Sequence, residues 1–326
     1  MTIDFHKQSN YTRVQTQANA QYRRYAWENY RAIFDKNWDR PSMKICRFNE
    51  SRIGVVVEGD VIDVTDVLDD YPSIRPWPLP REDWLIAHLL ELRPRFEQLI
   101  YQAPRRPLAS VQLLSPVANP GKVIGAPVNY RAHFEEAIAD KAISFDLTVK
   151  TIDHYGLFLK ANSSVVGASE GVTLRLPERR HDQEGELVVV IGRDCASVAE
   201  EDALNYVAGY CTGLDMTVRG VEERSLRKSL DTYTVLGPWL TTADEIRDPD
   251  NLLIHLEVNG EQRQRCLTAS MIFSVRKLIS YASRFYTLYP GDIIMTGTPA
   301  GVGRVVPGDV IRLEITNLGT MNVPIR

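Results

Sequence analysis

The sequence of 326 residues contains only 4 cysteines, and their arrangement excludes two classes of cysteine-dependent fold. The four lie far apart, with no CxxC pair and no histidine at a matching spacing: Cys46, Cys195, Cys211 and Cys266. Zinc clusters and disulfide frameworks need cysteines at short, regular spacings. The sequence therefore predicts reduced thiols and a cytoplasmic location.

Charge of one sign and long apolar runs are also scarce. The 38 Lys and Arg residues nearly balance the 42 Asp and Glu residues, which gives a formal net charge of −4. Such a chain has no field that would hold nucleic-acid phosphates or an anionic membrane. The sequence has neither a run of about 18 apolar residues nor an apolar N-terminal segment. We therefore expect a soluble, untargeted protein that binds neither nucleic acid nor membranes.

Local patterns divide the chain into three regions. Residues 1–42 are expected to form a helical arm, because four residues recur at helical spacing: Tyr22, Ala26, Tyr30 and Ile33. Residues 43–115 contain short β-rich runs, a helical pattern and a proline-rich end, which predict a small N-terminal β/α domain. Residues 116–326 contain many strand patterns and few helices, so the fold class expected for this larger domain is β-rich α+β.

Some local predictions are specific. Ser197 is followed three residues later by Glu200, the pattern of a capping box that begins a helix. Pro94 is expected to kink or end the helix in which it lies. The run VTLRLP, residues 172–177, predicts a strand, and an Asn-Gly pair further on predicts a hairpin turn.

The segment HDQEGELVVVIG contains two acids two residues apart, Glu184 and Glu186. If the apolar strand extends back through them, both carboxylates project from one face, and Gly185 leaves the opposite face uncrowded. Close carboxylates repel unless a cation or a proton lies between them, and Mg²⁺ prefers carboxylate oxygens. The alternative is a solvated pair at the start of a strand. The neighbouring His181 and Asp182 are interpreted as a solvated turn.

A third acid, Asp215, follows an apolar run and is expected in a glycine-rich turn, with Arg219 four residues later. The alternative is a turn aspartate bonded to its own backbone. Together with the two glutamates, Asp215 would complete a site of three carboxylates for a divalent ion.

Two further segments carry groups for chemistry. If VNYRAHFEEAI is helical, His133 and Glu136 lie on one face, so the carboxylate can orient the imidazole as a base; a surface salt link is the alternative. In the loop TGTPAGVG, the hydroxyls of Thr296 and Thr298 and the backbone around Gly297 can bind an anion such as a carboxylate. The loop lacks the Gly-Lys-Ser/Thr ending of a phosphate-binding P-loop.

Taken in order, these segments resemble the fumarylacetoacetate hydrolase family, including its acylpyruvases and 2-hydroxyhepta-2,4-diene-1,7-dioate isomerases. The resemblance covers residues 122–323, with a weaker match over 43–112. The matching strings are NYRAHFEEA, LFLKANSSVVG, EGELVVVIG, VAGYCTGLDMTVR, RKSLDTYTVLGPWL, VNGEQRQ and LYPGDIIMTGTPAGVG. The resemblance implies a mixed β-sandwich roll, a divalent metal (Mg²⁺ or Mn²⁺), a homodimer, a role in aromatic catabolism and a small 2-oxo acid substrate.

The resemblance also implies roles for single residues. The family's metal-binding acids fall on Glu184, Glu186 and Asp215. Its histidine-glutamate dyad, which is carried on a lid, falls on His133 and Glu136. Its catalytic lysine falls on Lys228, and its substrate-binding groups fall on Arg219 and on Thr298 with the adjacent Gly297. Lys160 matches a family lysine whose role is either structural or substrate-facing.

Three positions depart from the family pattern. Ala132 replaces an aspartate that often precedes the lid histidine, and Leu214 replaces the asparagine before the metal-binding aspartate. Glu222 replaces a glutamine that supports an oxyanion in hydrolases of the family, and a carboxylate there would repel the developing charge.

The expected activity is metal-dependent hydrolysis of a carbon-carbon bond in a 2,4-dioxo acid through an enolate. The departure at Glu222 keeps one alternative open: a decarboxylase or isomerase of a 2-oxo diacid that uses the same enolate. An alternative of a different class is a non-catalytic binding protein that retains the fold.

Overall fold

Strands dominate the part of the chain that the computed structural model describes, residues 43–68, 81–145 and 147–326. The expected helical arm of residues 1–42 lies outside the described residues. Residues 43–326 form one compact unit, and the domain boundary expected near residue 115 stays a prediction. No helix within the described ranges is long and apolar enough to span a membrane.

Nineteen strands are described. The strands of the first half are β1 (Lys44–Phe48), β2 (Arg52–Val57), β3 (Asp60–Asp63), β4 (Arg105–Pro107), β5 (Leu113–Leu114), β6 (Val123–Gly125), β7 (Phe158–Lys160), β8 (Val165–Gly167), β9 (His181–Gln183) and β10 (Gly185–Ile191). Those of the second half are β11 (Val207–Asp215), β12 (Thr217–Val218), β13 (Thr234–Thr242), β14 (Leu253–Val258), β15 (Glu261–Leu267), β16 (Ile293–Met295), β17 (Gly303–Arg304), β18 (Val310–Ile315) and β19 (Gly319–Pro324).

The described α-helices are mostly short. They are α1 (Trp84–Ala87), α2 (Leu89–Leu99), α3 (Arg131–Ala139), α4 (Lys141–Ser144), α5 (Ile152–Tyr155), α6 (Arg224–Arg227) and α7 (Val275–Phe285). Short 3₁₀ helices lie at Thr65–Leu68, Leu108–Ser110, Asn162–Ser164, Ala168–Glu170, Glu200–Tyr206, Ala243–Glu245 and Thr268–Ser270.

The strands form three sheets. The largest has the order β4-β3-β2-β1-β13-β11-β10-β16-β6-β7, with β5 paired to β1 and β8 to β13. It is mixed, because the pairs β6–β16 and β8–β13 are parallel. The second sheet has the order β12-β9-β17 and the third β15-β14-β18-β19. The predicted hairpin joins β14 to β15 through Asn259 and Gly260, which both have positive φ angles as that turn requires.

The large sheet is covered on both faces, which explains why β10 is apolar throughout. Alternate side chains of a strand point to opposite faces. Leu187, Val189 and Ile191 accordingly pack into the main core beside α7 and the third sheet. Val188 and Val190 pack into a second core with α1, α2 and the first strands. The β-rich α+β class expected from the sequence is confirmed.

Two local predictions are wrong, and a third is wrong in part. The 3₁₀ turn after Ser197 begins only at Glu200 and makes no capping box; Ser197 itself has a positive φ and donates its N–H to the carbonyl of Ser283. Pro94 lies inside α2 and does not end it, since the helix continues to Leu99. The run over residues 172–177 forms only a single bridge to the C-terminal strand region, because the segment leaves the sheet before its proline.

Candidate functional site

The three predicted acids converge in one buried cluster. Glu184, Glu186 and Asp215 are at most 4% exposed, and one oxygen from each lies within 4.8 Å of the others. The backbone N–H of Asp215 donates to the carbonyl of Glu184 at 2.9 Å, which fixes the two chain segments side by side. The two glutamates therefore lie on one side, as their spacing of two predicts, and Asp215 reaches the same side.

Asp215 lies in a strand and not in the expected turn. It is the last residue of β11 and is paired with Thr234 of β13.

Gly185 faces the third sheet at close range. A Cβ atom at this position would come within 2.9 Å of Leu256 Cδ1 in that sheet. A side chain there would push against the side chains of Leu256, Gln264 and Leu313, so a glycine suits the position between the two glutamates.

Three cations surround these carboxylates. Lys228 Nζ donates to Glu184 Oε2 at 2.6 Å and to Asp215 Oδ2 at 2.7 Å. Arg219 Nη2 donates to Glu184 Oε1 at 2.9 Å. Lys160, whose side chain is fully buried, donates to Asp215 and to a backbone carbonyl. Lys160 thus pairs with Asp215 and does not line the cavity beside the acids, which favours a structural role.

The cations are shared unequally between the two glutamates. Burial alone would raise the pKa of Glu184, but Lys228 and Arg219 hold it well below its usual value. Burial, together with the charges of Asp215 and Glu184, raises the pKa of Glu186 well above its usual value. A buried carboxylate in that position needs a proton or a further cation. Three converging carboxylates are the oxygen donors that Mg²⁺ or Mn²⁺ prefers, so the site fits a divalent metal.

The predicted dyad forms on helix α3. His133 Nδ1 lies 2.8 Å from Glu136 Oε2, and the other oxygen of Glu136 accepts the backbone N–H of Gly301 at 2.8 Å. His133 is 6% exposed and lines the same cavity as the three acids. Since Nδ1 is occupied by Glu136, Nε2 is the ring nitrogen left for chemistry.

The small-residue loop after β16 supports the acids. The N–H of Gly297 donates to Glu186 Oε2 at 2.8 Å. Thr298 lines the cavity; its hydroxyl donates to the carbonyl of Gly185 and accepts from Gln264 Nε2 at 2.7 Å. Gly297 has a φ of +93°, and a Cβ there would lie 2.8 Å from Asn129 Cβ. The backbone of this loop therefore orients Glu186.

One member of the site was missed by the sequence argument. Asp182 is fully buried in β9 and accepts Arg219 Nε at 2.7 Å and Arg180 Nε at 2.7 Å. The interpretation of His181 and Asp182 as a solvated turn is wrong, because His181 is also buried and is held by the hydroxyl of Tyr233. The available signal was the period of two, which continues backward from Glu186 and Glu184 to Asp182.

The negative charge of Glu222, which departs from the family pattern, is neutralised by the neighbouring Arg179. The two oxygens of Glu222 accept Arg179 Nη1 and Nη2 at 2.9 and 2.8 Å. This contact lowers the pKa of Glu222 to about 2. The carboxylate faces Arg179 and is not among the residues that line the cavity. It therefore places no bare negative charge beside the acid cluster.

A cavity opens from the acid cluster toward residues 131–145 and 147–155. Its volume is about 720 Å³ when its open mouth is included. The predicted site residues that line it are His133, Glu184, Glu186, Asp215, Arg219, Lys228 and Thr298. Apolar side chains such as Ile143 and Leu147 also line it.

Comparisons with known proteins agree with this architecture. Residues 122–326 match the family model described as fumarylacetoacetate (FAA) hydrolase C-terminal. The chain is 56% identical over 286 residues, 87% of its length, to a maleylpyruvate hydrolase of Aquipseudomonas alcaligenes, of which 99% is covered. It is 38% identical over 235 residues to an oxaloacetate tautomerase of Rattus norvegicus, covering 68% of this chain and 72% of that one.

Comparison with a solved structure also indicates similarity to a hydrolase of this family. The crystal structure of maleylpyruvate hydrolase from Sphingobium sp. SYK-6, in complex with manganese(II) ion and pyruvate, superposes with a TM-score of 0.74 at 39% identity. The match covers 87% of this chain and 98% of that one. The fold expected from the resemblance is thus confirmed, and the chain belongs to the fumarylacetoacetate hydrolase family.

Proposed function

We propose that the chain is a divalent-metal-dependent hydrolase that cleaves a carbon-carbon bond of an acylpyruvate, a 2,4-dioxo acid, to give pyruvate and a carboxylic acid. The observation that carries this proposal is the convergence of three buried carboxylates and the His133–Glu136 pair on one cavity. Maleylpyruvate is the first substrate to test, because the relative from Aquipseudomonas alcaligenes is a maleylpyruvate hydrolase.

Glu184, Glu186 and Asp215 would hold the metal. When bound, a divalent ion supplies Lewis-acid stabilisation of negative charge on substrate oxygens. The chain prepares that site with Lys228 and Arg219, which keep Glu184 ionised, and with Gly297, whose N–H orients Glu186.

His133 acts as the general base. Glu136 holds Nδ1 and favours the tautomer in which Nε2 is unprotonated, so that Nε2 can take a proton from water. The water oxygen adds to the carbonyl carbon C4 of the substrate. The C3–C4 bond then breaks, its electron pair remains on C3 as the enolate of pyruvate, and the proton returns from His133 to C3. Glu136 stabilises the imidazolium that exists between these two transfers.

The remaining predicted residues bind the substrate and stabilise the negative charge of the enolate. Lys228 brings an ammonium group to the wall of the cavity, where it opposes the negative charge of the enolate. Arg219 adds a second fixed positive charge and is held in place by Asp182. Thr298 lies at the cavity wall, and we propose that its hydroxyl turns from the carbonyl of Gly185 to contact the substrate carboxylate. Gly297 supports the site through the N–H that it donates to Glu186.

A second candidate is isomerisation of a 2-oxo diacid, which needs only proton transfer at C3 and no addition of water. It is favoured by the 38% identity to an oxaloacetate tautomerase. The two candidates differ in their products. Maleylpyruvate hydrolysis releases one pyruvate and one maleate per substrate, whereas oxaloacetate tautomerisation releases neither. Decarboxylation of oxaloacetate would release pyruvate together with CO₂.

The test is product analysis of the purified, Mg²⁺-loaded protein with maleylpyruvate and with oxaloacetate. We expect the protein to convert maleylpyruvate to pyruvate and maleate at a rate far above its rate of conversion of oxaloacetate. Rapid enol-keto exchange of oxaloacetate with no pyruvate release from maleylpyruvate would favour the tautomerase instead.

We also propose that the protein works as a cytoplasmic homodimer and that residues 116–326 form its catalytic domain. All four cysteines are free, and three of them are buried, which suits a reducing compartment. Equilibrium sedimentation of the full chain tests the dimer.

A further inference from the structure

Two arginines in the cavity have no acidic partner in the part of the chain that the structure describes. Arg224 and Arg227 lie three residues apart on the short helix α6, so both side chains reach the same side of the cavity. Two of the three lining acids are paired with other cations: Lys228 contacts Glu184 and Asp215, and Arg219 contacts Glu184. The third, Glu186, accepts the N–H of Gly297. Among the described residues, no carboxylate forms an ion pair with Arg224 or Arg227.

Both guanidinium groups are nevertheless held in place. Arg227 Nε donates to the backbone carbonyl of Glu222 at 2.7 Å, which leaves its two terminal nitrogens for another acceptor. The guanidinium of Arg224 lies over the ring of Tyr155, 3.9 Å from its centroid. The hydroxyl of Tyr155 in turn donates to the carbonyl of Thr148 at 2.8 Å, which fixes the ring.

The charge in this part of the cavity is therefore positive and unbalanced. Burial, and then repulsion by Arg219 and Arg224, lower the pKa of Arg227, while Glu184 and Glu222 offset part of that repulsion. An anionic group of the ligand would relieve that repulsion. The two free terminal nitrogens of a guanidinium match the two oxygens of a carboxylate.

We infer that Arg227, assisted by Arg224, binds a second carboxylate at the distal end of the substrate and so selects 2,4-dioxo diacids over 2,4-dioxo monoacids. This inference rests on the proposed function, in which the first carboxylate belongs to the pyruvyl end at the acid cluster. Tyr155 is a positioning residue that holds the Arg224 guanidinium toward the cavity.

The test uses two substrates of equal chain length that differ only at the far end: 2,4-dioxoheptanedioate, which ends in a carboxylate, and 2,4-dioxoheptanoate, which ends in a methyl group. The readout is pyruvate release, as kcat and KM for each. In the wild type we expect kcat/KM to favour the diacid by roughly ten- to a hundredfold, the usual value of a charged hydrogen bond.

Arg227→Gln should remove most of that preference by raising KM for the diacid, while kcat/KM for the monoacid stays unchanged. Arg224→Gln should have a smaller effect in the same direction, and Arg227→Lys should keep part of the preference because it keeps the charge. Arg265→Gln, on the exposed side of β15, is the matched control and should behave as the wild type.

Equal kcat/KM for the two substrates in the wild type, or an unchanged ratio in Arg227→Gln, overturns the inference. So does an equal loss of both substrates in Arg227→Gln, since Arg227 would then support the site in general and not the distal carboxylate. Failure of the proposed function looks different, because neither substrate would release pyruvate from the wild-type enzyme.

Discussion

The backbone N–H of Gly301 donates to Glu136 Oε1 at 2.8 Å, on the carboxylate oxygen that does not hold His133. This contact ties helix α3, and with it the proposed base, to the loop after β16. The same loop orients Glu186 through Gly297. One loop therefore positions both the dyad and the acid cluster, although these lie more than 45 residues apart in the sequence.

Glu136→Gln should lower kcat by about tenfold or more, and His133→Ala by about 10²–10⁴-fold, because general-base catalysis contributes about that much. Both variants should bind Mn²⁺ as the wild type does, since neither residue contacts the acid cluster. Steady-state turnover and calorimetric Mn²⁺ titration measure the two properties separately. Glu135→Gln, one position away and exposed, is the matched control. Loss of Mn²⁺ binding in His133→Ala would contradict the assigned role.

Gly297→Ala should destabilise the protein by at least about 1 kcal/mol more than Gly308→Ala. Both glycines have similar positive φ angles, +93° and +98°, so both variants carry the same backbone strain. Only at Gly297 would the new Cβ meet a neighbour, because nothing lies within 4 Å of that atom at Gly308. Urea unfolding gives the two free energies. Equal values would show that the loop can move aside.

Asp182→Asn should lower the free energy of unfolding by about 3 kcal/mol, since it leaves buried Arg219 with a single charged partner. It should also raise KM, because Arg219 then loses its orientation. Asp231→Asn breaks an exposed ion pair with Arg175 and should cost less than about 1 kcal/mol. If both substitutions lower the free energy of unfolding by the same amount, Asp182 does not hold Arg219 in place.

The pH dependence of activity should be insensitive to Glu222. Its contact with Arg179 lowers its pKa to about 2. A depressed pKa means that the ionised form persists until the pH falls through that value, so this group does not titrate between about pH 5 and 9. The pH profiles of kcat/KM for Glu222→Gln and the wild type should therefore superpose. Disappearance of an acidic limb in the variant would assign that limb to Glu222.

Much of the site could be predicted because strand and helix periods fix which side chains share a face. The alternation around Gly185 brought Glu184 and Glu186 together, and the spacing of three placed His133 beside Glu136. The same rule applied one step further back would have found Asp182. It was missed because the polar run before the apolar strand was interpreted as exposed.

Contacts between distant segments could not be predicted from local sequence patterns. Two features depend on how separate loops meet, which no local pattern records: the hydrogen bond from Gly301 to Glu136, and the lack of an ion pair for Arg227 among the described residues. The turn assigned to Asp215 failed for a related reason: β11 contains glycines that suggest a turn, yet pairing with β10 and β13 on both sides keeps it extended.

The most direct test of the central claim, that Glu184, Glu186 and Asp215 hold a divalent metal required for turnover, is a Mn²⁺ titration of chelator-treated protein followed by both calorimetry and pyruvate release. The wild type should bind one Mn²⁺ per chain and gain activity in proportion to occupancy, whereas Glu186→Gln should lose both together. Full acylpyruvate cleavage by the chelator-treated wild type, or unchanged Mn²⁺ affinity in Glu186→Gln, would contradict the account.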